Sequence, residues 1–312
     1  MEKTNQSEHP QKIASVKLDS LDTLWFQLAG TICNLSCSHC FISCSPENNS
    51  FAFLDRETVR THVCDAQKHG VKEFYFTGGE TFLNKEIYDI LEDTLKVGPV
   101  SVLTNGTVIR QRVAEKLKRI SDATMYSLEL RVSLDGFDAE TNDKIRGKGS
   151  FESALKGIEA LVKAGFLPIV TAVQTWPENE SQRVLEEFKS ALNTIGYIRP
   201  RIKIIPALNL GEYRNTDFEK PDEYLVTEDM MQEYDSGRLL CANSRVVTNK
   251  GVYVCPILID APDARLGATL DESTGAYSLR HKACYTCYQF GAICSNFSTA
   301  ATESSEMSRS AH

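Results

Sequence analysis

Three cysteines near the start of the chain carry the clearest chemical signal in this sequence. Cys33, Cys37 and Cys40 follow a β-rich run in the spacing CxxxCxxC. Thiolates are soft ligands, and three of them can hold three irons of a four-iron, four-sulfur cluster. The fourth iron is then open to a substrate or cofactor. A closed zinc site completed by His39 or Cys44 is the alternative that the spacing leaves open.

A second group of cysteines lies beyond residue 240, after a long segment that contains none. Its members are Cys241, Cys255, Cys284, Cys287 and Cys294. Four thiolates that include a CxxC pair can bind an iron–sulfur cluster or a zinc ion. A cluster with four protein ligands has no iron free for substrate, so its expected roles are electron transfer or scaffolding. Cys64 falls at an apolar helical position and is predicted to be a small core residue.

Glycine and polar residues stand at the ends of the next three β-rich runs. In chain order these residues are Gly78, Gly79 and Glu80, then Thr104 and Asn105, then Ser133, with Arg146 soon after. Glycine lets a backbone approach a ligand closely, and the planar fork of arginine matches a carboxylate. Each motif alone is a commonplace turn, but their order at successive strand ends indicates a binding site.

The elements that must position these residues alternate between strands and helices. The predicted strands span residues 24–29, 73–77, 100–104, 128–135, 168–174 and 202–206. Helical patterns lie between them, and the clearest follows an N-cap signal at Asp55 and ends before Gly70. Strand–helix steps of about 31 residues are typical of parallel βα units. The sequence therefore predicts an α/β fold, a partial (β/α)6 TIM barrel over residues 23–208, with its site at the carboxyl ends of the strands.

The strand at residues 128–135 indicates which side chains line the barrel. Its leucine and valine residues alternate with Glu129, Arg131, Ser133 and Asp135. Because alternate side chains of a strand point to opposite faces, the polar set is predicted to face the interior. Glu129 and Arg131, with Lys203 on a later strand, are therefore candidate substrate contacts.

The composition of the chain indicates the class of protein, its domains and its expected location. With 42% hydrophobic and 24% charged residues, this chain of 312 residues resembles an ordinary globular protein. Residues 209–295 are predicted to form a small cysteine-rich domain, and segments 1–22 and 296–312 to be disordered tails. No apolar run reaches the roughly 18 residues of a membrane span, and no secretory signal is present, so we expect a cytoplasmic protein. The net charge of −8 disfavours binding to nucleic acid or acidic lipid.

These motifs, in this order, resemble those of the radical S-adenosylmethionine (SAM) superfamily over residues 24–175. The resemblance implies that Cys33, Cys37 and Cys40 hold a [4Fe–4S] cluster whose open iron binds SAM. Thr81 stands where the family commonly has proline after its GGE motif. His39 occupies a position that is often aromatic, where stacking near the adenine is implied.

The same resemblance assigns the strand-end residues to SAM binding. The residues implied as SAM contacts are Gly78, Gly79, Glu80, Thr104, Asn105, Ser133 and Arg146. Of these, Glu80 is expected to accept a hydrogen bond from the methionine ammonium. Ser133 and Arg146 are expected to hold the ribose and the carboxylate.

The segment beyond residue 240 resembles the SPASM/twitch extension of radical SAM enzymes. The resemblance implies one auxiliary [4Fe–4S] cluster, with Cys241, Cys255, Cys284 and Cys287 as ligands. Cys294 is an alternative to Cys287 or a spare.

The implied activity is reductive cleavage of SAM to a 5′-deoxyadenosyl radical, which abstracts hydrogen from a small-molecule substrate, with an oxidation as the favoured outcome. An electron donor such as flavodoxin or ferredoxin is expected. Modification of a ribosomal peptide is the main alternative. A second alternative is a module that binds an iron–sulfur cluster or zinc and has no catalytic activity.

Overall fold

A nine-stranded sheet forms the centre of the computed structural model, which describes residues 12–208, 210–212 and 225–291. Within those residues the strands are β1 (Ser15–Val16), β2 (Thr23–Gln27), β3 (Glu73–Thr77), β4 (Val100–Thr104), β5 (Leu128–Ser133), β6 (Ile169–Gln174), β7 (Arg201–Pro206), β8 (Ser244–Thr248), β9 (Gly251–Tyr253), β10 (Arg265–Gly267) and β11 (Tyr277–Ser278). The order across the large sheet is β10-β9-β8-β2-β3-β4-β5-β6-β7.

Strands β2 to β7 are parallel to their neighbours and correspond to the six strands predicted from the sequence. They confirm the α/β fold with a partial (β/α)6 TIM barrel. On the other side of β2, strand β8 adds in parallel, with Val246 opposite Trp25. Strands β9 and β10 continue the sheet in antiparallel pairs. The sheet thus includes strands from both sides of the predicted division between residues 208 and 209.

The helices connect and cover the parallel strands. In the described residues they are α1 (Arg56–Lys68), α2 (Ile87–Thr94), α3 (Gln111–Asp122), α4 (Ala139–Arg146), α5 (Ser150–Lys163), α6 (Ser181–Asn193), α7 (Leu240–Asn243) and α8 (Lys282–Phe290). Helix α1 begins where predicted, because the Asp55 carboxylate accepts a hydrogen bond from the backbone N–H of Thr58 at 2.7 Å. The sequence analysis did not predict α4, which begins with a capping box between Asp138 and Thr141.

Alternate residues of β2 belong to two different hydrophobic cores. Leu24 and Phe26 pack in the core that includes Val59 and Val63 of α1. Trp25 packs in a second core that includes Val246 and several cysteines of the C-terminal segment. The two faces of β2 are therefore covered by helices on one side and by the cysteine-rich segment on the other.

The structure differs from the sequence prediction at the N-terminal tail. Residues 12–22 are described, and within them β1 pairs antiparallel with β11. Ala14 and Val16 are buried by this pairing. Because the partner strand lies about 260 residues further along the chain, no local pattern reveals the pairing. Residues 1–11 and 292–312, with the predicted C-terminal tail and Cys294, lie outside the described residues.

Candidate active site

A cavity of about 210 Å³ lies at the carboxyl ends of the barrel strands. Nine residues predicted for the site from the sequence line it: Cys33, Cys37, Cys40, Gly78, Gly79, Thr104, Asn105, Ser133 and Arg146. Parallel barrel strands all end at the same rim, so residues far apart in the chain meet there.

Backbone contacts hold the cysteine loop against the GGE motif. The N–H of Gly79 donates to the Gly30 carbonyl at 3.1 Å, and the N–H of Glu80 donates to the Ile32 carbonyl at 3.0 Å. Glycine is required at position 79 because a Cβ atom there would lie 2.0 Å from the carbonyl oxygen of Ile32. The loop that carries Cys33 and the motif after β3 therefore form one rigid unit.

The three thiols of the loop are a donor set that fits an iron–sulfur cluster. Burial, together with the neighbouring Glu80 and thiols, raises the pKa of Cys33 to about 11. The pKa of Cys40 is lowered to about 6, because its sulfur accepts hydrogen bonds from the thiol and from the backbone N–H of Cys44, the latter at 3.2 Å. Several thiolates in one cavity repel one another, and metal coordination is what holds such groups deprotonated.

Cluster ligands do not have to converge on one point. No three His, Cys, Asp or Glu side chains in the described ranges are close enough to bind a single metal ion. In a four-iron cluster each thiolate binds a different iron, so its ligands are spread around the cluster.

Of the residues predicted to contact SAM, Glu80 is the one that does not line the cavity. Its carboxylate is fully buried and accepts hydrogen bonds from Thr104 Oγ1 at 2.7 Å and from the backbone N–H groups of Asn105 at 2.7 Å and Phe82 at 3.0 Å. Burial raises its pKa and outweighs the hydrogen bonds that lower it. A carboxylate has about four acceptor positions, so one position is left for a further donor.

Asn105 connects this network to the cysteine loop. Its side-chain amide donates to Asn34 Oδ1 at 2.9 Å and lies 3.7 Å from Cys33 Sγ as a donor. Hydrogen bonds to cluster sulfurs influence the reduction potential, so an amide donor beside Cys33 Sγ would tune a cluster held there.

Arg146 enters the cavity from the end of α4 and is held there by Asp135. The buried Asp135 carboxylate accepts hydrogen bonds from Arg146 Nε at 2.5 Å, His39 Nε2 at 2.6 Å and the backbone N–H of Val173 at 2.7 Å. Burial alone would raise the pKa of Asp135, but Arg146 and His39 lower it to about 2. The carboxylate is therefore charged, and it ties the cysteine loop to the arginine predicted to bind the SAM carboxylate.

The predicted substrate contacts have different positions. Arg131 and Lys203 line the cavity, whereas Glu129 does not. Glu129 accepts hydrogen bonds from Arg131 Nε at 3.1 Å and from Arg201 Nη2 at 2.9 Å. Arg131 Nη2 also donates to the hydroxyl of Tyr75 at 3.1 Å. Glu129 therefore supports Arg131 rather than facing the cavity itself.

Four cysteines of the C-terminal segment surround a second, smaller cavity. Cys241, Cys255, Cys284 and Cys287 all line it and are all buried. Burial, together with the nearby thiols, raises the pKa of both Cys241 and Cys284 to about 12. Four thiols that share one apolar cavity match the donor set of a closed iron–sulfur or zinc site.

The two remaining cysteines have contrasting environments. Cys44 is buried and lines the main cavity beside Cys40. Cys64 is exposed, so its prediction as a core residue is wrong. The buried side chains of α1 are Val59, Val63 and Ala66, and Cys64 lies one residue past that face.

A family model described as the radical SAM superfamily matches residues 28–188, which is more than half of the chain. The chain belongs to the radical SAM superfamily. Members of this superfamily are enzymes that use SAM and a [4Fe–4S] cluster, so the family, enzyme and principal cofactors predicted from the sequence are confirmed.

The radical SAM chain is similar to several curated enzymes. The mycofactocin maturase MftC of Mycolicibacterium smegmatis is 31% identical over 239 residues, which cover 76% of this chain and 56% of that protein. A probable GTP 3′,8-cyclase of Methanosarcina mazei is 31% identical over 199 residues, covering 60% of this chain and 53% of that protein. The chain thus spans about half the length of the curated relatives it matches.

Solved structures share the fold. Native anSMEcpe with bound AdoMet has a TM-score of 0.60 at 20% identity, covering 80% of this chain and 79% of that one. SuiB of Streptococcus suis bound to its precursor peptide SuiA has a TM-score of 0.62 at 15% identity, covering 83% and 65%. In the part of this chain that the structure describes, no helix combines the length and apolar character needed to cross a membrane.

Sequence analysis missed two features of the site. Asp135 was predicted on the polar face of a strand over residues 128–135, but not as the acceptor shared by His39 and Arg146. The sequence analysis also missed Trp25 and Gln27, which line the cavity from β2. The alternation in TLWFQ is the signal that could have found them, since Trp25 and Gln27 share one face of that strand.

Proposed function

We propose that this radical SAM enzyme removes a hydrogen atom from a substrate held in the cavity at the barrel mouth. The supporting observation is that Cys33, Cys37, Cys40, the two glycines of the GGE motif and Arg146 meet around that single cavity. Bound together, a [4Fe–4S] cluster and SAM supply a 5′-deoxyadenosyl radical for this abstraction. We assign the three cysteines as the cluster ligands.

The side chains of the chain bind and orient SAM in this proposal. Arg146, fixed by Asp135, presents its guanidinium to the methionine carboxylate. Glu80 offers its remaining acceptor position to the methionine ammonium, and Ser133 contacts the ribose. Gly78 and Gly79 allow the backbone to approach closely. Apolar lining residues such as Leu35, Phe41 and Leu103 exclude water from the reacting groups.

We further propose that Cys241, Cys255, Cys284 and Cys287 bind one auxiliary [4Fe–4S] cluster. Their burial in one cavity supports this assignment. Arg245 lies directly beside them: its Nη1 donates to the Cys241 carbonyl at 2.8 Å, and its positive charge offsets part of the negative charge of a four-thiolate site. With four protein ligands such a cluster would transfer electrons, and flavodoxin or ferredoxin would be a suitable donor to the enzyme.

A short peptide is the substrate class that we favour. MftC, a maturase, matches 76% of this chain and so extends beyond the barrel into the cysteine-rich segment. A probable GTP 3′,8-cyclase is also among the similar proteins, so a small-molecule substrate is the second candidate.

The test uses anaerobically reconstituted, dithionite-reduced enzyme with SAM. Wild-type enzyme is expected to form 5′-deoxyadenosine, and Cys37→Ala is expected to form none, because it loses a cluster ligand. Cys64→Ala is the matched control, since that thiol is exposed and outside both cavities. A mass change in a short peptide encoded beside this chain would support the peptide proposal. Turnover of a metabolite with no peptide change would refute it.

A further inference from the structure

Three buried polar atoms beside the cavity have no hydrogen-bond partner within the described residues: His39 Nδ1, Trp25 Nε1 and Gln27 Oε1. The last two lie on the same face of β2, and both side chains are 1% exposed and line the cavity. The other end of the Gln27 amide is fixed, because Nε2 donates to the Gly30 carbonyl at 2.8 Å. Buried polar atoms normally pair with protein, water or a ligand, so this donor and this acceptor indicate a bound group.

The surroundings of these atoms are rigid. Trp25 stacks on Tyr75 with ring centroids 4.2 Å apart, and the guanidinium of Arg131 lies over the Tyr75 ring, 4.9 Å from its centroid. Trp25 and Tyr75 are also opposite each other in the β2–β3 pairing. The indole N–H is therefore held in one position, which is the condition for a specific contact.

Among the carboxylate, ammonium and guanidinium side chains of the described residues, only positively charged ones line the cavity, although the whole chain has a net charge of −8. Arg131, Arg146 and Lys203 line the cavity, and no Asp or Glu of the described residues does. Arg131 and Lys203 already have interaction partners, so an incoming anion would join existing contacts. Their positive potential nevertheless favours an anionic group at this end of the cavity.

We propose that Trp25 and Gln27 form a substrate subsite for a carboxylate that has an N–H or O–H group beside it. The indole N–H of Trp25 donates to a carboxylate oxygen, and Gln27 Oε1 accepts the neighbouring N–H or O–H. A carboxylate fits better than a phosphate, because a phosphate brings three acceptor oxygens and close to two charges to a place with one unused donor. This subsite rests on the proposed function, since it defines which part of the substrate enters the cavity.

The experiment measures binding to the anaerobic, cluster-loaded and SAM-bound enzyme by isothermal titration calorimetry. Three probes are compared: N-acetyl-L-alanine, its methyl ester, and O-acetyl-L-lactate. The ester removes the negative charge, and O-acetyl-L-lactate replaces the N–H by an oxygen. We expect N-acetyl-L-alanine to bind with the highest affinity and each of the other two about tenfold more weakly.

A pair of tryptophan variants locates the binding. Trp25→Phe keeps the stacked ring but removes the N–H, and it is expected to weaken N-acetyl-L-alanine binding about tenfold. Trp176→Phe is the matched control, because Trp176 Nε1 donates to Ser181 Oγ at 3.2 Å and does not line the cavity. It is expected to bind the probe like the wild type. If Trp25→Phe fails to fold, the relative affinities of the three probes for the wild-type enzyme still test the proposed subsite.

Three results would overturn the proposal. One is the absence of saturable binding of any probe at about 10 mM, which is weaker than a specific fragment contact. Another is equal affinity for all three probes. The third is unchanged binding to a folded Trp25→Phe variant, which would mean that water alone satisfies these atoms. Formation of 5′-deoxyadenosine is measured on the same preparations without any probe, so failure of the subsite and failure of SAM cleavage are separate outcomes.

Discussion

Replacing Asp135 with asparagine tests whether one buried carboxylate holds both the cysteine loop and Arg146. Asparagine keeps the size of the side chain but removes its charge. The Arg146 guanidinium, 8% exposed and 2.5 Å from Asp135 through Nε, would then lose its counter-ion in a buried place. Removing one partner of a buried ion pair typically costs about 3–5 kcal/mol.

The pKa of Asp135 also shows how much the contacts of this carboxylate stabilise the folded protein. Burial would raise that pKa, but Arg146 and His39 outweigh it, and the value falls from 3.8 to about 2. This difference corresponds to about 2.4 kcal/mol of stabilisation of the folded protein. Because the folded pKa is the lower one, the stabilisation is present above about pH 4 and is lost as the pH falls towards 2. We therefore expect Asp135→Asn to lower the free energy of unfolding by about 2–4 kcal/mol at pH 7.

The assay is anaerobic urea denaturation of cluster-loaded protein, followed by circular dichroism, with SAM affinity measured by calorimetry on the same samples. Asp135→Asn is expected to bind SAM about tenfold more weakly, because His39 and Arg146 lose their common anchor. The control is Asp138→Asn, since asparagine caps a helix as well as aspartate does. An Asp135→Asn protein as stable as wild type, with unchanged SAM affinity, would show that Asp135 does not anchor the cysteine loop and Arg146.

Three further predictions follow from single residues. Gly79→Ala places a methyl group 2.0 Å from the Ile32 carbonyl oxygen and is expected to reduce iron incorporation on reconstitution, whereas Gly275→Ala, which meets no atom within 4 Å, is expected to incorporate iron normally. Asp55→Ala removes the N-cap of α1 and is expected to lower the free energy of unfolding by about 1 kcal/mol in urea denaturation; no change in the midpoint would contradict the role of the cap. Cys64→Ser is expected to unfold at the wild-type urea concentration, and a loss of more than about 1 kcal/mol would show that the thiol is buried after all.

The sequence predicts the barrel well because its signals are local. Each of the six parallel strands is a short β-rich run, and five of the helices have an apolar face and flanking strands at regular spacing. Helix α4 has no such face: its two buried side chains are Asn142 and Arg146, so its packing is polar. Only the capping box at Asp138 could have revealed it.

Long-range pairing is the part that the sequence could not reveal. Strand β8 joins the barrel sheet beside β2, although more than 200 residues separate them. In the site, the cysteines and strand-end motifs were predictable because each is a short motif at a strand end. Asp135 accepts hydrogen bonds from both His39 and Arg146, and Glu129 contacts Arg201 instead of lining the cavity. These contacts depend on how side chains from separate strands pack together, so no single segment of the sequence reveals them.

The most direct test of the account is electron paramagnetic resonance of the anaerobic, dithionite-reduced enzyme before and after addition of SAM. We expect a [4Fe–4S] signal whose spectrum changes when SAM binds the open iron near Cys33, Cys37 and Cys40. Cys37→Ala is expected to lose that SAM-dependent change, while Cys255→Ala keeps it. Zinc in place of iron at these cysteines, or a cluster spectrum that SAM leaves unchanged, would contradict the central claim.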